Sequence, residues 1–144
     1  MYFEDFLPGD KFETRPRVVT GTDIDIFAAF TGATNPLFMD EQFGKKLGYK
    51  GRIAPGPLTL SLIIGLQYSM GLFDHIIAFL GIDKLRFLAS VNPGDTIRCS
   101  VEVLEKRGAK KQDRGIVTTR WNCHNQEGQL VLEMLANFLV RKRG

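Results

Sequence analysis

The chain carries few of the residues on which metal-holding or exported proteins depend. Its 144 residues include only two cysteines, Cys99 and Cys123, and two histidines, His75 and His124. There is no Cys-x-x-Cys and no histidine pair at ligand spacing, and Cys123 and His124, adjacent in a strand-like run, would point to opposite faces. Spacing therefore speaks against a metal site and leaves buried, reduced thiols as the expectation. Long apolar runs are also missing. The most apolar stretch, PLTLSLIIGLQYSMGLF (57–73), is broken by Thr59, Ser61 and Gln67 and falls short of the ~20 apolar residues that span a bilayer. The opening MYFEDFLPGD lacks the basic-then-apolar order of an export signal, so a cytoplasmic protein that does not enter the membrane is expected. Charge of one sign is scarce too. The net charge is +3, and the basic runs EKRGAKKQDR (105–114) and RKRG (141–144) hold no aromatic residue, which argues against a nucleic-acid face. Repeats, low-complexity segments and linkers are absent.

What is present is ordinary globular material, 44% hydrophobic and 24% charged, enough for a single domain over residues 1–144. The first third is punctuated as helices. Thr22 and Asp25 have the spacing of a capping pair, and Ile24, Phe27, Ala28 and Thr31 follow at helical intervals until Gly32. Asp40 is placed to cap a second helix bearing Phe43 and Leu47 and ending at Gly48. Pro57 suits the start of a third, whose apolar residues from Leu58 to Met70 run nearly all round and require protein on most sides. The second half alternates with period two: 96–104, 115–124 and 129–140 read as antiparallel strands, the last two joined by a turn at NQEG. Two further strands are expected at 75–82, with Gly81 as a bulge, and at 84–88, the latter doubling back through NPGD (92–95) onto 96–104. An earlier strand is expected within 8–20. An apolar helix followed by an antiparallel meander packs most economically with the sheet curled round the helix, an α+β hot-dog arrangement.

Residues 27–62, FAAFTGATNPLFMDEQFGKKLGYKGRIAPGPLTLSL, resemble the signature segment of the MaoC-like dehydratases, the (R)-specific enoyl-CoA hydratase group of hot-dog proteins. The likeness continues through RFLASVNPGDTIRCSVEVLEKR and EMLANFLVRKR and so covers nearly the whole chain. In the family the segment runs Gly-Asp-x-Asn-Pro-x-His, which implies an Asp and a His that activate the water added to a 2-enoyl thioester. The matching residues here are Gly32, Ala33, Thr34, Asn35, Pro36, Leu37 and Phe38, so both proton-handling positions are apolar. Downstream the family has Ile-Ala-His-Gly, whose glycine N–H is held to polarise the thioester carbonyl. This chain has Ile53, Ala54, Pro55 and Gly56. A hydroxyl further along the helix would be Ser61, although the strict register falls on Ile64.

Hydration needs one group to take a proton from water and another to give one to carbon, each worth 10²- to 10⁴-fold. Alanine and phenylalanine supply neither. The resemblance thus implies an acyl-CoA or related acyl-thioester binder without a cofactor, with Asn35, Phe38, Gly56 and Ser61 toward the ligand and no catalytic residue identified. Asp40, Glu41 and His75 are the candidates for a replaced acid or base, against helix capping for the two acids and a structural role for the histidine. Lys84 and Arg86, or Lys110 and Lys111, are candidates for the CoA phosphates. An active hydratase using other residues, a hot-dog thioesterase and a non-catalytic partner subunit stay open as alternatives. A homodimer or higher even oligomer, joined edge to edge, is expected from the long apolar strands.

Overall fold

The computed structural model describes all residues, 1–144. A short 3₁₀ turn (Phe3–Asp5) leads into β1 (Lys11–Glu13) and β2 (Arg17–Val18). The helices α1 (Gly21–Thr31), α2 (Pro36–Met39), α3 (Glu41–Lys46) and α4 (Gly56–Tyr68) follow, then β3 (Ile76–Phe87), β4 (Thr96–Gly108), β5 (Arg114–His124) and β6 (Leu130–Arg141). The strands form one antiparallel sheet in the order β1-β4-β5-β6-β3, with β2 also pairing β4. This is the expected α+β hot-dog layout. Alternation decides the faces: Ile97, Cys99, Val101 and Val103 of β4, Val117 and Trp121 of β5, and Met134, Ala136 and Phe138 of β6 are buried in one cluster with Leu58 and Ile63 of α4. Gln67, fully buried near the end of α4, ties helix to sheet by donating from Nε2 to the Cys99 carbonyl at 3.2 Å. No helix is long and apolar enough to cross a membrane.

Four expectations are corrected. The cap of α1 is Thr20 with Asp23, not Thr22 with Asp25: Thr20 Oγ1 accepts from the Asp23 N–H, and Asp23 Oδ2 accepts from the Thr20 N–H. The choice is physical, because Arg17 grips Asp23 through two nitrogens at 2.8 and 3.0 Å, whereas Asp25 is drawn to Arg52. The segments 75–82 and 84–88 are one strand, β3, whose pairing with β6 shifts between Ile76 and Ala78, Phe79 and Gly81, and Asp83 and Arg86. Extra residues at these bulges, rather than a break, absorb the irregular pattern. NPGD does turn the chain, with the Asp95 N–H donating to the Asn92 carbonyl, but it does not make β3 a neighbour of β4. The turn docks on Val19 instead, through Val19 N–H to Asp95 O and Gly94 N–H to Val19 O. Turn chemistry fixes a reversal and not the partner strand. Finally, α4 is less enclosed than its composition demands, since Pro57, Ser61, Gly65 and Tyr68 form an exposed stripe along it.

Candidate functional site

The overhanging segment between α1 and α4 is built by capping and by one arginine. Gly32 closes α1 in the left-handed region (φ 80°), donating to the Ala28 carbonyl. Asn35 and Pro36 then start the single turn α2, and Asp40 caps α3 by accepting from the Gln42 and Phe43 N–H groups. Arg52 gathers these pieces. Its guanidinium reaches Asp25 at 2.7 Å, the Gly21 carbonyl at 3.2 Å, the Phe38 carbonyl at 3.4 Å and Glu41 at 3.7 Å. The Ile53 N–H donates to Leu37 O and the Ala54 N–H to Val91 O, so the entry to α4 is held between the overhang and the segment after β3.

At that entry the Gly56 N–H has no partner in the protein, and Pro57 has no N–H at all. The ring of Phe87 lies directly against Gly56, where an added Cβ would meet its edge at 2.8 Å, so a larger residue there must push this half-exposed ring aside. Beside this point opens a cavity of about 580 Å³, walled chiefly by Ile53, Ala54, Gly56, Phe87, Leu88 and Val91. The side-chain polar groups on its wall are the hydroxyls of Tyr49, Thr59 and Ser90, and no carboxylate, imidazole or amine reaches it. The site can accept an apolar chain and offer one helix N-terminal donor to an oxygen. Another hollow of about 590 Å³, between Glu13, Arg15 and the end of α4, is bounded by only five residues and has no such donor.

Of the residues expected to face a ligand, Gly56 lines this cavity. Asn35 is exposed on the overhang, and Phe38 is half-buried with its ring against the core, both outside the wall. Ser61 lies on the exposed stripe of α4, its hydroxyl donating to the Pro57 carbonyl at 2.8 Å. Ala33 is half-buried in the overhang. Asp40 serves as a cap and Glu41 pairs with Arg52, accepting also from its backbone N–H. His75 stacks on Tyr2 with ring centroids 3.8 Å apart. Lys84, at positive φ (52°), stands with Arg120 and Glu133 at a different cleft of the sheet, and Arg86 is exposed opposite Glu133. Lys110 and Lys111 are at the β4–β5 turn. No three His, Cys, Asp or Glu side chains converge to hold a metal. Arg52 and Phe87 have no signal in their spacing, because what recruits them lies far along the chain.

Comparison with known proteins agrees with this architecture. The family described as MaoC like domain matches residues 5–122. An (R)-specific enoyl-CoA hydratase of Rhodospirillum rubrum is 31% identical over 99% of this chain and 94% of its own length. Among solved structures, one described as a monoamine oxidase regulatory protein of Archaeoglobus fulgius is 41% identical with a TM-score of 0.92, covering 100% of this chain and 96% of its own. A Mycobacterium tuberculosis protein with a double hot-dog fold, 21% identical, shares the fold at a TM-score of 0.90 over 99% of this chain and 44% of its own. Several relatives are longer, and the chain spans only 33 to 41% of them. With a family match over most of its length and the curled sheet wrapped on α4, the chain belongs to the MaoC-like domain family of hot-dog proteins.

Proposed function

We propose that the chain binds an acyl thioester, with the acyl chain in the 580 Å³ cavity and the carbonyl oxygen at the Gly56 N–H, and that alone it does not hydrate a 2-enoyl group. The observation that carries this reading is the pairing of an unpartnered helix N-terminal donor with a cavity wall that carries no carboxylate, imidazole or amine. Such a site polarises a carbonyl but lacks the carboxylate and imidazole with which the family activates water. Ala33 and Phe38 then stand where the family's acid and base would be, and Phe38 has joined the core instead. Purified protein given crotonyl-CoA should show hydration at background, while calorimetry with butyryl-CoA should show binding. Wild-type turnover well above background would overturn the reading. Installing Ala33→Asp and Phe38→His together should raise hydration more than the two single changes combined, since an acid and base acting as a unit are not additive. A melt of the double variant separates misfolding from chemical incompetence, because an unpaired polar group at Phe38 costs several kcal/mol.

A second reading has its own support. The exposed stripe on α4 and the open edge of β3 leave surface for a second copy, and a homodimer would complete the enclosure of the helix.

A further inference from the structure

The three hydroxyls on the cavity wall differ in how much water they meet. Tyr49 is 39% exposed and Ser90 is half-buried, and both also wall a polar cleft next door, where water serves them. Thr59 is only 3% exposed and takes no part in that cleft. Its Oγ1 has no hydrogen-bond partner in the protein, yet it is not sealed off from the cavity as Gln67 Oε1 is sealed in the core.

The orphan has a cause in the first turn of α4. A hydroxyl in a helix ordinarily turns back on the carbonyl four residues earlier, as Ser61 does on Pro57 and Thr31 on Phe27. For Thr59 that carbonyl is Pro55, which already accepts from the Leu58 and Thr59 N–H groups at 3.0 and 3.3 Å. The hydroxyl is left for the cavity. A helical side chain leans toward the N-terminus and covers the turn before its own. Thr59 stands three residues after Gly56, on the same face, and both line the one cavity, so the hydroxyl leans toward the Gly56 N–H.

We infer that Thr59 Oγ1 is a second donor to the thioester carbonyl, whose oxygen is held between the Gly56 N–H and this hydroxyl. The inference rests on the acyl-thioester reading and adds to it the residue that selects a ligand with a carbonyl at this point. A carbonyl oxygen has two lone pairs and can take both donors. A ligand with a methylene there would leave both donors buried and unpaired, which is costly.

Calorimetry tests this on wild type, Thr59→Val and Thr59→Ser with butyryl-CoA and with S-butyl-CoA, the thioether in which a methylene replaces the carbonyl. Wild type should bind butyryl-CoA the more tightly. Thr59→Val, close in shape, should weaken butyryl-CoA about fivefold, the effect of one neutral hydrogen bond, and leave S-butyl-CoA unweakened. Thr59→Ser, which keeps the hydroxyl, should bind both probes as wild type does. The infrared stretch of an isotope-labelled butyryl-CoA carbonyl should lie lower in the wild-type complex than in the Thr59→Val complex, since a donated hydrogen bond weakens the C=O bond. Thr59→Val that binds butyryl-CoA as tightly as wild type, with the same stretch, overturns the inference and leaves the thioester reading standing. Equal loss of both probes also overturns it, because the side chain would then be shaping the cavity rather than meeting the carbonyl. Wild type that binds neither probe, or both equally, removes the thioester reading as well.

Discussion

Cys99 and Cys123 face one another across β4 and β5 with their backbone groups turned away. The Cys99 N–H donates to Thr14 Oγ1, and its carbonyl accepts from the Thr14 N–H and Gln67 Nε2. A strand residue sends both groups to one side, so this is the non-hydrogen-bonded kind of pair, with Cα atoms about 4.5 Å apart. Burial pushes both thiols up to about 12, the neighbouring Cys99 adding to the effect at Cys123. At pH 8 only about one thiol in 10⁴ would be ionised, so a disulfide reagent should titrate neither in the native protein and both in denaturant. Rapid native labelling would show that the core opens. Asp23 illustrates the opposite shift. The Arg17 guanidinium, with the Thr20 N–H and hydroxyl, holds its carboxyl down to about 2 from an ordinary 3.8. A depressed carboxylate stabilises the fold fully above its ordinary value and progressively less as pH falls through 2. Melting temperature should therefore drop between pH 4 and 2, and Asp23→Asn should flatten that slope while costing about 1 kcal/mol at neutral pH through the lost charge opposite Arg17.

Between elements the decisive contact is Arg52, whose partners stand 11, 14, 27 and 31 residues away. It joins the start of α1, the end of α2 and the first turn of α3 to the entry of α4. Arg52→Gln should lower stability by about 2 kcal/mol, since hydrogen bonds from a charged donor to backbone carbonyls are lost while the exposed acids Asp25 and Glu41 add little. Hydrogen exchange should then quicken across residues 33–52 before it quickens in the sheet. Unchanged exchange there would mean that the caps alone hold the overhang. This contact also marks the limit of what sequence conveys. Strands β4 to β6 and helix α4 were legible because a period of two or an apolar run is written locally, and Asp40 and Gly32 because capping is a local act. Arg52 and the pairing of β3 with β6 were not, because each depends on a chain segment brought near only by the fold. The cap of α1 was misplaced by two residues for the same reason: Arg17 decides between two similar Thr/Asp pairs.

At the scale of the whole molecule, the sheet has one long unprotected side. β3 is 12 residues long and pairs only with β6, leaving its other edge open, with Ile77 and Leu80 exposed at the bulges. Bulges discourage casual pairing, yet so long and apolar an edge beside the exposed stripe of α4 remains a surface suited to a second copy. If two chains join antiparallel along β3, the sheets become continuous and the open faces of the two α4 helices are brought toward each other. Light scattering should give twice the chain mass of 16.2 kDa at micromolar concentration. The double variant Ile77→Glu and Leu80→Glu should shift the protein to the single-chain mass with its circular dichroism intact, because both side chains already stand in water within one chain and leave its core untouched. A wild type that stays monomeric at micromolar concentration would refute the edge pairing. A dimer that survives both glutamates would place its interface elsewhere, with the stripe of Ser61, Gly65 and Tyr68 the next surface to probe.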